Sequence, residues 1–252
     1  MERTAHANRI KLVIFDLDGT TADTLDGICE ALNRTMTSCG YPTHTSEEVR
    51  RFVNFGVRQF IEEALPADRR ADAAEVERVM ALYNAEYART YTLSHPYEGM
   101  IPLLERLSER TLVAMNSNKQ DEFVKALADQ LFPAGLLLAA EGFRTDRPGK
   151  PDPSMALAIM EQAARALGEP VAPAECVYVG DSDIDYLTAR NAGMIPVSVS
   201  WGYRTHEFLA ALGDQPVART ADELWEVLMN AGVSPLHPDF LGVSPQTPPK
   251  TF

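Results

Sequence analysis

The chain is 252 residues long, 45% hydrophobic, and carries a formal net charge of −13 with three cysteines. That length buries a substantial core, as one large domain or two small ones, and the composition is that of an ordinary globular protein. The acidity, with no basic stripe, argues against a nucleic-acid partner, and no run approaches the ~20 apolar residues of a membrane span, so no membrane partner is expected.

Cys29, Cys39 and Cys176 form no CxxC pair and are odd in number. The first nine residues are polar and lack the apolar segment of a signal peptide. Together these features predict a reducing, cytoplasmic setting. An anionic ligand would have to be drawn in by a metal and a few local cations, because the overall field opposes it.

Residues 10–15 are short, apolar and β-branched, and read as a buried strand. Asp16-Leu17-Asp18-Gly19-Thr20 follows at its carboxyl end. Two carboxylates at i and i+2 repel, and each wants water or a partner, so the pair points to a held cation or, more simply, to a helix cap. Residues 24–39 then predict a helix ended by Gly40, and Thr45-Ser46-Glu47-Glu48 is a capping box. Helical patterning runs on to about residue 92, with breaks at Asn54-Phe55-Gly56 and Pro66. No strand is expected between residues 22 and 97.

From residue 98 helices and strands alternate. The pattern predicts a helix over 101–108, a strand over 111–116, a helix to about 131 and a strand over 136–138. A helix over 153–167, a strand over 176–179, a helix over 184–191, a strand over 195–199 and a last helix over 221–231 follow. Such alternation implies a parallel sheet covered on both faces, with ligands bound beyond the carboxyl ends of its strands. Beyond Gly232 the chain is Pro-rich and reads as an extended arm or disordered tail.

Four strand ends or neighbouring loops carry distinctive side chains: Asp16 and Asp18; Ser117, Asn118 and Lys119; Lys150-Pro151-Asp152-Pro153; and Gly180-Asp181-Ser182-Asp183-Ile184-Asp185. Singly, each has a plainer reading. Ser117 could cap a helix starting at Lys119, Lys150 could be a solvated loop charge, and Asp181 or Asp183 could cap the helix at 184. Jointly they form an all-oxygen acidic site with a hydroxyl and one or two ammonium groups, which suits Mg2+ better than zinc.

These four segments, in this order, resemble the DxDGT, Ser/Thr, Lys and GDxxxD motifs of the haloacid dehalogenase superfamily, over about residues 9–231. Within it the chain is most similar to phosphoglycolate phosphatases, through residues 15–24, Ser117-Asn118-Lys119, Lys150-Pro151-Asp152-Pro153, residues 179–182 and Trp201-Gly202-Tyr203-Arg204. The resemblance implies an α/β Rossmann-like, doubly wound parallel sheet formed by residues 1–22 and 98–232. It also implies an inserted α-helical cap over 23–97, followed by the tail, 233–252.

The implied activity is Mg2+-dependent hydrolysis of a small-molecule phosphate ester, with phosphoglycolate as leading substrate. By the same resemblance Asp16 is the nucleophile and forms an aspartyl-phosphate. Asp18 is general acid and then general base. Lys150 and Ser117 hold the phosphoryl oxygens, with Thr20 and Asn118 as further substrate contacts. Asp16, Asp181, the Asp18 carbonyl and Asp185, directly or through a partner, hold the metal. Arg50, Arg51 and Arg58 flank the break at 54–56, and Arg58 is the cap residue placed against substrate, unless these arginines only decorate solvated helix faces.

Rival readings differ in residues. A dehalogenase usually lacks the second Asp. A phosphonatase needs a cap lysine, and residues 22–97 contain none. A sugar-phosphate phosphatase or mutase, or a nucleotidase, stays open; a mutase would need cationic groups in the cap. Gly149-Lys150 is followed by Pro151, so no GxxxxGK[ST] loop exists, and Ser182 lies outside any G-x-S-x-G elbow. A catalytically silent binding protein would be expected to have lost one of the key residues, and none is lost.

Overall fold

A computed structural model describes residues 9–53 and 55–234. The central element is β1 (Leu12–Phe15), buried at all four positions. A strand buried on both sides must be apolar throughout, and Leu-Val-Ile-Phe satisfies that condition. It lies between β4 (Leu112–Gln120) and β6 (Cys176–Gly180), parallel to both. With β5 (Ala139–Phe143), β7 (Ile195–Val199) and β8 (Val217–Ala218) the sheet order is β5-β4-β1-β6-β7-β8, and all its pairs are parallel.

Alternate side chains of β1 feed two cores. Val13 and Phe15 join α5 (Met100–Ser108), α6 (Asp121–Leu131) and α10 (Ala221–Asn230) on one face. Leu12 and Ile14 join α7 (Ser154–Leu167) and α8 (Asp183–Ala192) on the other. This is the doubly wound arrangement expected of alternating strands and helices. No helix among the described residues is long and apolar enough to cross a membrane.

Four helices leave the sheet after β1 and return before α5: α1 (Leu25–Cys39), α2 (Ser46–Phe52), α3 (Val57–Ala64) and α4 (Ala73–Thr90). They enclose their own apolar cluster, including Leu32, Met36, Phe60, Ile61 and Tyr87, and dock on the sheet layer through Phe123 and Tyr203. The Thr45 capping box is formed as expected, and α1 ends at Gly40 in the left-handed conformation.

The structure corrects several boundaries. A two-stranded antiparallel ribbon, β2 (Ala22–Asp23) with β3 (His95–Pro96), joins the helical segment to the sheet where no strand was expected. Two-residue strands are too short to show alternation in a sequence. The strand expected over 136–138 is displaced to β5, because an apolar triplet reports burial and does not by itself report sheet pairing. β4 runs to Gln120, so α6 begins at Asp121 and not at Lys119. The helix α9 (His206–Ala210) and β8 were not foreseen. Asn54 and the tail from residue 235 onward lie outside the described residues.

Candidate active site

Parallel pairing of β1, β4 and β6 brings their carboxyl ends side by side, since Phe15 is level with Met115 and Val179. Asp16, Ser117 and Asp181 therefore emerge on one edge, although up to 165 positions separate them. The Asp16 N–H donates to Val179 O at 2.9 Å, which fixes its backbone. The register of β4 against β5 shifts between Asn116 and Gln120, so the segment carrying Ser117, Asn118 and Lys119 leaves the ladder and turns to the site. Gly19, at φ +83°, closes the loop after β1; a Cβ there would lie 2.5 Å from Asp181 Oδ2.

Lys150 is 7% exposed, and its ammonium sits 2.6 Å from Asp185 Oδ1 and 2.8 Å from Asp16 Oδ1. Only the first contact is directed as a hydrogen bond; the buried Asp16 Oδ1 has an ion-pair partner but no hydrogen-bond donor. The Lys150 backbone is clamped by Asn118, whose Oδ1 accepts from Lys150 N at 2.7 Å and whose Nδ2 donates to Lys150 O at 3.0 Å. Asp185 Oδ2 accepts from Ser182 Oγ at 2.5 Å.

Ligand oxygens of Asp16, Asp181 and Asp185 lie within 4.8 Å of one another, all buried. Three carboxylates against one ammonium leave two negative charges in a desolvated space. Burial pushes the Asp16 carboxyl well up; Lys150 opposes this, and Asp185, Asp181 and Asp18 add to it. Burial and Asp185 push Asp181 up to about 7, against the Tyr203 N–H, Lys150 and Arg204. Burial works to discharge Lys150, but Asp16 and Asp185 outweigh it and hold its pKa well above the usual lysine range. A hard divalent cation fits this donor set: it is all oxygen, short by two positive charges, and includes a carboxylate oxygen with no donor of its own.

Asp18 stands outside that cluster. Its Oδ1 accepts from Thr24 Oγ1 at 2.5 Å and lies 3.0 Å from Lys119 Nζ. Its Oδ2 faces Ser117 Oγ at 3.5 Å. The Lys119 side chain is 8% exposed and lies over the ring of Tyr87, 4.4 Å from its centroid. Burial works against its charge, and Asp18, Tyr87 and Tyr83 more than restore it.

These groups open on a pocket of about 620 Å³, measured with its mouth. Its floor is Asp16, Asp18, Ser117, Lys119 and Lys150; its far wall is Ile28, Val53, Val57, Phe60, Tyr83 and Phe123. Asp16, Asp18, Ser117, Asn118 and Lys150 thus line one space, with Asp181 and Asp185 behind it. Thr20 Oγ1 donates to Asp181 Oδ1 at 3.3 Å, so it supports the acidic cluster. Arg58 is not brought in. Its guanidinium pairs with Glu62 and Glu77 and is about half exposed, because α3 turns that face to solvent and its apolar face to the pocket. Arg50 donates to Gly202 O at 3.4 Å and lies over Tyr203, and Arg51 pairs with Glu47.

Several supporting residues had not been assigned roles. Ser182, and neither Asp181 nor Asp183, caps α8 through Asp185 N. Thr24 and Lys119 grip Asp18. Tyr203 N donates to Asp181 Oδ2 at 2.5 Å, and Gly202 packs against Gly19 and Asp181. The Trp201–Arg204 stretch was the available sequence signal, but its use depends on β7 ending beside β6.

The family of haloacid dehalogenase-like hydrolases matches residues 13–199. Phosphoglycolate phosphatase 1 of Pseudomonas aeruginosa is 30% identical over 77% of this chain and 70% of its own. Phosphoglycolate phosphatase of Vibrio parahaemolyticus is 31% identical over 87% of this chain and 96% of its own. A haloacid dehalogenase-like family hydrolase from Streptococcus pneumoniae shares the fold with a TM-score of 0.73 at 22% identity, covering 86% of this chain and 97% of that one. The four segments noted in the sequence meet at one edge of the sheet, and the family match spans them all: the chain belongs to the haloacid dehalogenase-like hydrolases.

Proposed function

We propose that the protein is a Mg2+-dependent phosphatase that hydrolyses a small phosphomonoester through an aspartyl-phosphate on Asp16, with phosphoglycolate as leading substrate. The observation that carries the reading is the separation of the two aspartates. Asp16 lies in the acidic cluster beside Lys150, while Asp18, two residues beyond, is held apart by Thr24 and Lys119. One carboxylate is placed to attack and the other to move protons.

An Asp16 oxygen attacks phosphorus, and the leaving alkoxide takes its proton from Asp18. Asp18 then accepts a proton from water, whose oxygen attacks the aspartyl-phosphate and frees Asp16 and inorganic phosphate. Thr24 and Lys119 occupy Asp18 Oδ1, which leaves Oδ2, the acceptor of only a long 3.5 Å hydrogen bond from Ser117 Oγ, for this traffic. Lys150 and Ser117 supply fixed donors to the phosphoryl oxygens. Asp16, Asp181 and the Asp18 carbonyl would hold the cation. Asp185, whose two oxygens already accept from Lys150 and Ser182, fixes Lys150. When bound, the ion neutralises phosphoryl charge against which Asp16 would otherwise have to work.

Residues 23–97 serve in this reading as a cap over a core of residues 1–22 and 98–232, excluding water from the reaction, in a cytoplasmic enzyme. A mutase is disfavoured: among the described residues no arginine of α1–α4 lines the pocket, and that segment has no lysine with which to grip a second phosphate. The test is phosphate release from phosphoglycolate, hexose phosphates and nucleoside monophosphates, with Mg2+ and with EDTA. Turnover that needs Mg2+ and is lost in Asp16→Asn is expected. No release from any ester would overturn the proposal, and activity retained in Asp16→Asn would overturn the nucleophile assignment.

A further inference from the structure

We propose that Lys119 reads an anionic group on the carbon that bears the ester oxygen, making the pocket selective for short phosphorylated 2-hydroxy acids over neutral esters of the same size. The inference rests on the phosphatase reading for its reacting groups and on geometry for its content. Beyond Lys150, which faces Asp16 and Asp185, Lys119 is the cation lining the pocket among the described residues. Apart from the reacting groups and Gly56, Asn118, Gln120 and Ser182, the remaining lining is aliphatic and aromatic.

Lys119 also stands at the right place for such a task. The leaving oxygen must come within hydrogen-bond reach of Asp18 to be protonated. Lys119 Nζ is 3.0 Å from the other oxygen of that carboxylate. A carboxylate one carbon beyond the ester oxygen therefore stays within a single contact of the ammonium, whereas a longer spacer would carry it past, into the apolar wall. An ammonium has three donors, and Asp18 takes one of them.

The plainer account is that Lys119 only balances the charge of Asp18. The two are separated by a ratio of rates, because an effect through Asp18 falls on every ester alike. The assay compares kcat/KM for phosphoglycolate and ethyl phosphate in Mg2+, for the wild type, Lys119→Met and Lys119→Arg, with melting temperatures to confirm folding. Wild type is expected to favour phosphoglycolate by about 10- to 100-fold, the value of a charge-assisted contact. Lys119→Met should erase the preference, and Lys119→Arg should keep part of it.

Calorimetric binding of the two esters to Asp16→Asn, with and without Lys119→Met, reads recognition without turnover. A ratio unchanged in Lys119→Met, or no wild-type preference in rate or binding, overturns the proposal while leaving the phosphatase intact. No turnover on any ester, with a Lys119-dependent binding preference, removes the phosphatase reading and supports the recognition.

Discussion

Gly202 makes a demanding test of how tightly the acidic cluster is packed. An alanine Cβ at this position would fall 2.6 Å from Asp181 Cβ and closer still to the Gly19 carbonyl oxygen. Ordinary carbon–carbon contact is about 3.5–4.0 Å, so something must move by about 1 Å. Both neighbours are constrained: Gly19 belongs to the loop that follows Asp16 and Asp18, and Asp181 accepts from Tyr203 N and Thr20 Oγ1.

Relief therefore comes at the expense of the site. Overpacking of this kind costs about 1–3 kcal/mol, which for a chain of this size lowers Tm by roughly 2–12 °C. A displacement of about 1 Å in a reacting constellation lowers kcat/KM by about 100-fold. The assay is phosphate release from Gly202→Ala beside its melting curve. Activity within threefold of wild type, with an unchanged Tm, would refute the claim that this glycine is required by the Gly19–Asp181 approach.

Thr24→Val keeps the shape of the side chain but removes the donor to Asp18 Oδ1; kcat should fall by about 10-fold with KM little changed, the signature of a group used in proton transfer. Ser182→Ala removes both the α8 cap and the donor to Asp185, and should cost about 1–3 kcal/mol by chemical denaturation. Arg58→Ala should leave kcat/KM within about twofold, because its partners are solvent-exposed glutamates. Asp181 is pushed up from the usual carboxylate range to about 7, so in the metal-free fold its ionisation between pH 4 and 7 removes stability. A divalent cation restores it only by binding the ionised form. The Tm increase produced by Mg2+ should accordingly be larger at pH 8 than at pH 5.5, as read by thermal scans at both pH values.

Sequence alone specified which polar side chains follow one another along the chain and in what order. Residues 10–15 read as a buried strand, which the structure forms over Leu12–Phe15, Gly40 could end a helix, and Thr45-Ser46-Glu47-Glu48 could cap one. All of these are local choices, settled by apolar period, backbone freedom and side-chain hydrogen bonding within a few residues. Three of the four polar segments were legible for the same reason, each following a short apolar run; the fourth, at Lys150, was legible only as a loop before a helix. Which side chains they meet was not legible. That Lys150 bridges Asp16 and Asp185, that Asn118 holds Lys150, and that Lys119 and Thr24 take Asp18 follows from strands β4, β1 and β6 lying in that spatial order. Arg58 turned away for a similar reason, since the apolar face of α3 claimed the pocket and left the charged face to solvent. Burial of one face settles where the other must point, and only the assembled fold says which face is buried.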